Sequence, residues 1–179
     1  MKIGLFGFGH LGKIHFKCLK VSDFHIQGIY DPEYYDQANH EGVPFFTSHE
    51  KLFDEVEACI IASTTSTHYE LVKMAIEKGV HVFVEKPMTQ TLNQANKLIK
   101  LLKEKPELIT MVGFVERYNP TFKYIKSHID NPRFMEVHRL STFSNRGLDV
   151  SVVFDLMIHD LDLILNLKAE SIIDIKATG

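Results

Sequence analysis

Ile3-Gly4-Leu5-Phe6-Gly7-Phe8-Gly9-His10-Leu11-Gly12 reads as a short apolar strand, a glycine turn and the first turn of a helix. Each glycine has its own reason to be there. Gly7 permits the tight turn, Gly9 lets the backbone approach a pyrophosphate with no Cβ in the way, and Gly12 lets the helix pack close on the strand. The helix N-terminus at His10 and Leu11 then offers free N–H groups and a partial positive charge to phosphates. Asp31 falls at the end of the next strand, 19 residues after Gly12. A carboxylate there accepts hydrogen bonds from the adenine ribose hydroxyls. It would also repel a 2′-phosphate, and Pro32 follows it rather than an arginine, so the expected cofactor is NAD rather than NADP. The competing reading is a glycine-rich turn that binds nothing; the strand–turn–helix context and Asp31 weigh against it.

Outward from this turn, apolar β-rich runs alternate with helical ones. After the strand at 3–6 and the helix at 11–19, strands are predicted at 26–30, 44–46, 58–62, 80–84 and 109–113. Helices are predicted from about Ser48, over 68–78 with a stop at Gly79, and from the capping-box sequence Thr91-Leu92-Asn93-Gln94 to about Lys103. Strands separated by helices imply parallel crossovers, and short continuous apolar strands imply helices on both faces. The expected fold class is therefore α/β, a Rossmann-type doubly wound parallel sheet over residues 1–119. Past Pro120 the pattern changes to a helix at 121–128, a long strand at 134–143, a polar loop at 144–150, a strong helix at 152–167 and a last strand at 172–177. Residues 120–179 are read as the start of a second domain.

The chain has 179 residues, 45% of them hydrophobic and 24% charged, with a net charge of −3. That is an ordinary globular balance, with no electrostatic reason to expect nucleic acid or an anionic membrane as a partner. No apolar run is long enough to suggest a spanning helix. Cys18 and Cys59 lack metal-site or redox spacing, and the ten histidines form no cluster with ligand spacing, so no metal is assigned. Isolated reduced cysteines and a first strand that begins at once point to the cytoplasm.

Further motifs follow the strands: Ser63-Thr64-Thr65-Ser66-Thr67-His68, Glu85-Lys86-Pro87, Gly113-Phe114-Val115-Glu116-Arg117-Tyr118-Asn119-Pro120, and Asp155-Leu156-Met157-Ile158-His159-Asp160-Leu161-Asp162 in the last helix. Together with the glycine loop, and in this order, they resemble the Gfo/Idh/MocA oxidoreductases. The segments around residues 116–120 and 150–162 look most like the branch that oxidises C3 of UDP-N-acetylglucosamine-type sugars. The resemblance implies a small-molecule sugar or sugar-nucleotide substrate, with inositol or another polyol as the alternative. It also implies a second domain of mostly antiparallel α+β architecture and a homo-oligomer, dimer or tetramer, at full length. On this reading 179 residues are a truncated chain that should bind NAD and turn over poorly.

The chemistry would divide among a few side chains. His159 is a natural proton acceptor. Asp155, four residues earlier on the same helical face, could orient the imidazole or contact the sugar hydroxyl. Lys86, at the carboxyl end of a parallel strand, could hydrogen-bond the reacting oxygen and favour negative charge on it. The resemblance implies that Lys86 and His159 face the sugar; which is the base stays open. The bland alternatives are a helix ion pair for His159 and a solvated strand-end lysine for Lys86. A cis Lys86–Pro87 bond is a further expectation. Ser63, Thr64, Thr65 and His68 fall on the implied pyrophosphate and nicotinamide-ribose path, against a capping role in which Thr67 caps a helix starting at His68. Glu85 is read as a contact to the nicotinamide ribose, or as a structural carboxylate. Arg117, Asn119 and Arg146 are candidate substrate contacts; for Arg117 an interdomain ion pair is the equal alternative. A chain lacking turnover, a dinucleotide-binding sensor, is the remaining class, and the set Lys86, Asp155 and His159 argues against it.

Overall fold

The computed structural model describes residues 1–34, 36–140, 151–167 and 171–178. Two compact units divide the chain, Met1–Gly113 and Phe114–Gly179.

The first unit holds β1 (Lys2–Phe6), α1 (His10–Lys20), β2 (His25–Tyr30), β3 (Asn39–His40), β4 (Val43–Pro44), α2 (His49–Phe53), β5 (Ala58–Ile61), α3 (Thr65–Lys78), β6 (His81–Val84), α4 (Leu92–Lys103) and β7 (Thr110–Val112). Five strands form one parallel sheet in the order β2-β1-β5-β6-β7. The chain first winds from β1 outward to β2, then returns past β1 to β5 and continues the other way. The switch point therefore lies between β1 and β5, and such a sheet opens its ligand crevice at the carboxyl ends of the strands there.

Side-chain alternation along β1 explains the two layers. Ile3 and Leu5 face a cluster with Phe8, Phe16, Leu19 and Ile29 under α1. Phe6 faces the opposite cluster with Leu52, Phe53, Val72, Ile76 and Leu98 from α2, α3 and α4. Phe6 stacks on Phe53 with ring centroids 4.1 Å apart. Each such buried side chain is worth about 1.5–3 kcal/mol relative to exposure. The helix ends follow local chemistry. Thr91 and Gln94 form the capping box of α4 reciprocally, Ser48 caps α2 by accepting from Lys51 N, and α3 ends on Gly79 in the left-handed region at φ 75°. The Lys105 ammonium donates to the Ile76 and Glu77 carbonyls at 2.7 and 2.9 Å, adding to the Gly79 N–H that also reaches the Ile76 carbonyl at the end of α3.

Three expectations are corrected here. Residues 44–46 do not form a strand of the main sheet. Val43–Pro44 instead pairs antiparallel with Asn39–His40 around a turn at Glu41 and Gly42, both at positive φ. Phe45 makes an isolated bridge to Ile29. Pro44 has no N–H to give to a ladder, which confines this segment to a sheet margin. Second, α3 begins at Thr65, with Thr64 in extended conformation as its N-cap, so Thr67 lies in the first turn and is not the cap. Third, neither predicted strand of the second unit is present: residues 134–140 and 171–178 are irregular. A strand exists by pairing, and alternation without a hydrogen-bonded neighbour leaves apolar side chains such as Phe134 and Ile173 exposed, at 82% and 99%. Residues 141–143 of that first prediction, and the loop predicted at 144–150, lie outside the described residues.

The second unit contains a 3₁₀ turn at Val115–Tyr118, α5 (Pro120–His128), a π-helical turn at Val153–Met157 and α6 (Ile158–Leu167). Proline sits at the start of α5, where its missing N–H costs nothing, and Asn119 caps it by accepting from Thr121 N at 3.0 Å. The predicted helix at 152–167 is thus present, with a wide turn where a uniform α-helix was expected. Among the described residues no helix is long and apolar enough to cross a membrane.

Candidate active site

The glycine loop is built by backbone contact that no side chain could enter. An added Cβ on Gly12 would lie 2.1 Å from the Gly7 carbonyl oxygen, and one on Gly7 would lie 2.5 Å from Ser63 N and 2.6 Å from the Ala62 carbonyl. Gly7 also has φ +94°, a conformation that favours glycine. Its N–H donates to the Tyr30 carbonyl at 2.8 Å. Gly9 is different: an added Cβ there meets nothing within 4 Å. The loop therefore has a packed side and an open side, and Gly9 faces the open one. Gly9 is also the N-cap of α1 and supplies no side-chain cap, and the first turn of α1, with His10 and Leu11, carries no acidic side chain. The first N–H groups of the helix are left for an anion. These features fit a dinucleotide pyrophosphate.

Asp31 is bound into the same loop. Its Oδ2 accepts from Phe8 N at 2.6 Å and its Oδ1 from Glu33 N at 2.9 Å. The carboxylate thus ties the end of β2 to the glycine turn. Phe8 is buried and meets Phe16, Tyr34, His40 and Phe45 edge-on, which anchors the loop from below.

Across the switch point, Ser63, Thr64 and Thr65 lead from β5 into α3. The Thr67 hydroxyl donates to the Thr64 carbonyl at 2.8 Å, so at the 2.7 Å contact with Ser63 Oγ the serine is the donor. His68 is 1% exposed, with Nδ1 2.9 Å from the Pro87 carbonyl and Nε2 3.1 Å from the Ser63 carbonyl. Its ring is turned to protein on both sides. It joins the loop after β5 to the loop after β6.

Glu85 and Lys86 follow β6. Glu85 is buried and its N–H donates to the Ile61 carbonyl at 2.9 Å. Its Oε1 lies 2.7 Å from His15 Nε2. Lys86 is half-buried, and the Lys86–Pro87 peptide is cis, as expected. The cofactor candidates of the first unit are thereby gathered at one sheet edge.

The second unit carries the rest. Asp155 lies in the π-turn and His159 in the first turn of α6, both half-buried. A π-turn inside a helix is frequent at functional positions. Arg117 is committed to Asp162 through two parallel hydrogen bonds, Nε to Oδ2 at 2.6 Å and Nη2 to Oδ1. Asp162 is 6% exposed, and its carboxylate pushes the Arg117 guanidinium above its ordinary value. Arg117 therefore forms an ion pair, as its alternative reading had it, with a partner beyond the boundary expected near residue 120; both residues belong to the compact unit Phe114–Gly179. Asn119 serves as a helix cap. Arg146 lies outside the described residues. Among the described residues no group of three His, Cys, Asp or Glu could hold a metal ion.

Among the pairings that sequence reasoning missed are His15–Glu85 and Arg139–Asp160. His15 falls three residues after Gly12, beside the inward stripe Gly12, Phe16 and Leu19 of α1; helical periodicity carried that signal. Arg139 holds Asp160 with two hydrogen bonds of 2.7 Å, and nothing in their spacing announced it. The Arg139 guanidinium lowers the Asp160 carboxyl below its usual 3.8, against desolvation. A carboxyl that titrates lower in the folded than in the unfolded chain contributes stability that is complete above the unfolded value and is lost as pH falls through the folded one. Denaturant unfolding of Arg139→Gln across an acid pH series should therefore show a flatter loss of stability below about pH 4, with a deficit near neutrality of about 1 kcal/mol or less.

The glycine loop, the Asp31 carboxylate tied to it and the switch-point crevice together have the form of a dinucleotide-binding Rossmann unit. The chain belongs to the Gfo/Idh/MocA oxidoreductase family, whose model, described as an oxidoreductase family with an NAD-binding Rossmann fold, matches residues 1–114. It is 36% identical over 185 aligned residues to UDP-N-acetylglucosamine 3-dehydrogenase of Acidithiobacillus ferrooxidans, covering 100% of this chain and 58% of that protein. It is 29% identical to myo-inositol 2-dehydrogenase of Thermotoga maritima, again covering 100% of this chain and 58% of the relative. A solved structure of the Acidithiobacillus enzyme superposes with a TM-score of 0.88 at 34% identity, over 97% of this chain and 58% of that one. The chain thus spans 58% of the length of these relatives.

Proposed function

We propose that the protein is an NAD-dependent dehydrogenase acting on a secondary alcohol of a sugar nucleotide, most closely C3 of a UDP-N-acetylhexosamine, in the cytoplasm and as a homo-oligomer at full length. The observation that carries this reading is the 36% identity, across the whole chain, to an enzyme named for that reaction. The myo-inositol relative supports a polyol as the second reading.

Bound NAD would supply the hydride acceptor. The chain's own residues do the rest. The glycine loop with His10 and Leu11 holds the pyrophosphate; Ser63, Thr64 and Thr65 border it across the switch point. Asp31 receives the adenine ribose and Glu85 the nicotinamide ribose. The Lys86 ammonium donates to the reacting oxygen and favours the negative charge that develops there. His159 takes the hydroxyl proton as the carbonyl forms, with Asp155 orienting the imidazole. Asn119 and Arg146 are the candidate contacts to substrate; Arg117 could serve only with its guanidinium still held by Asp162.

The test is a substrate panel followed by absorbance of NADH. UDP-N-acetylglucosamine should be oxidised faster than free inositols, and Lys86→Ala and His159→Ala should each lower turnover about 10²–10⁴-fold while NADH still binds. Faster oxidation of an inositol would replace the first reading by the second. Tight NADH binding by a full-length chain with no turnover on any substrate would leave a binding module.

A further inference from the structure

His15 has no part in the function proposed above, yet it is a half-buried histidine held against a buried carboxylate. Its side chain is 18% exposed and faces Glu85, 10% exposed, at 2.7 Å. Other histidine–glutamate contacts are more open: His49 with Glu50 is 30% and 54% exposed, His40 with Glu41 39% and 60%, and His138 with Glu136 69% and 64%. Exposed pairs of that kind contribute little. The imidazole of His15 is set by an edge contact to Phe83, with ring centroids 5.2 Å apart. On the other side of the carboxylate, Gly113 leaves room where a Cβ would stand 2.7 Å from Glu85 Oε2. One oxygen is thus held by α1 and the other lies over the end of β7.

We propose that His15 is a positioning residue that fixes the Glu85 carboxylate for the nicotinamide-side ribose of the cofactor. It lies three positions after Gly12, so the helix that receives the pyrophosphate also aims the carboxylate that receives the second ribose. A group held by a neighbour loses less freedom when its ligand arrives, and that saving appears as affinity. The inference rests on the cofactor reading above.

The test compares NADH with ADP, which shares the adenosine and pyrophosphate part and lacks the nicotinamide riboside. Affinities are measured by titration calorimetry on the wild-type chain and on His15→Ala, His15→Gln and Gly113→Ala. His15→Ala should raise the NADH Kd about fivefold or more, part of one charge-assisted hydrogen bond, and leave the ADP Kd within about twofold. His15→Gln places an amide N–H near the position of Nε2 and should restore most of the loss. Gly113→Ala pushes on the same carboxylate from the far side and should weaken NADH selectively, which keeps the test valid if His15→Ala fails to fold. Equal weakening of NADH and ADP would mean that His15 only packs α1, and an unchanged NADH Kd in both His15→Gln and Gly113→Ala would mean that Glu85 needs no positioning; either overturns the proposal alone. A wild-type chain that binds ADP and NADH equally, or neither, overturns the cofactor assignment of Glu85 and this proposal with it.

Discussion

Gly12→Ala is expected to abolish measurable NADH binding and to lower the melting temperature by about 5–10 °C, whereas Gly9→Ala should melt like the wild type and still bind NADH at least about tenfold more weakly. The difference lies in what each new methyl would meet. At Gly12 it is the Gly7 carbonyl oxygen, 2.1 Å away, and that oxygen belongs to backbone. Neither α1 nor the turn can move apart cheaply, because Gly7 is itself wedged against Ala62 and Ser63 and hydrogen-bonded to Tyr30. Overpacking of this kind costs about 1–3 kcal/mol or more. At Gly9, φ is −70° and ψ −156°, a conformation open to alanine, and an added Cβ meets nothing within 4 Å. The fold loses nothing there; the methyl occupies the space that the pyrophosphate needs. Thermal melts and NADH fluorescence titrations of the two variants check both halves. Loss of melting temperature in Gly9→Ala would mean that the open side of the loop is not free, and unaltered NADH binding by that variant would remove the phosphate from the loop.

The same contrast explains what could be read from the sequence. Gly7, Gly9 and Gly12 could be assigned before any coordinates because their chemistry is local: a turn, a close approach and a helix start within six residues. The Thr91–Gln94 box and the Gly79 stop are local in the same sense, and both stand in the structure. Pairings between distant elements left no such trace. His15 reaches Glu85 across 70 residues of chain, and Arg117 reaches Asp162 across 45. Periodicity can place such a residue inward, but it cannot name its partner. The strands predicted at 134–143 and 172–177 are missing over their described residues, 134–140 and 172–177, for a related reason. Alternation describes the face a strand would show, while the ladder requires a second backbone. His68 shows the limit within a motif: its position pointed to the cofactor, and nothing in the spacing announced that its ring lies between the Pro87 and Ser63 carbonyls.

Asp31→Ala is the second large effect, and its size comes from a role that the ribose assignment alone does not contain. The carboxylate accepts the Phe8 N–H at 2.6 Å and the Glu33 N–H at 2.9 Å, so it shapes the glycine turn before any ligand arrives. Truncation removes both acceptors and leaves the Phe8 N–H, above a buried aromatic cluster, without its charged partner. A hydrogen bond to a charged group contributes about 1.5–3 kcal/mol, so the turn alone should cost roughly tenfold or more in affinity before the lost ribose contacts are added. NADH binding by Asp31→Ala should therefore fall by about a hundredfold. Asp31→Asn separates the two roles, since its amide oxygen still accepts one of the N–H groups while the charge is gone. If repulsion of the 2′-phosphate is what favours NAD, the ratio of NADPH to NADH affinity should rise about tenfold in Asp31→Asn, because two like charges a few ångströms apart at a protein surface interact by about 1–4 kcal/mol. Parallel fluorescence titrations with the two reduced cofactors decide the matter. An unchanged ratio would assign Asp31 to the architecture of the turn and remove it from cofactor choice, and a ratio already favouring NADPH in the wild type would reverse the NAD preference itself.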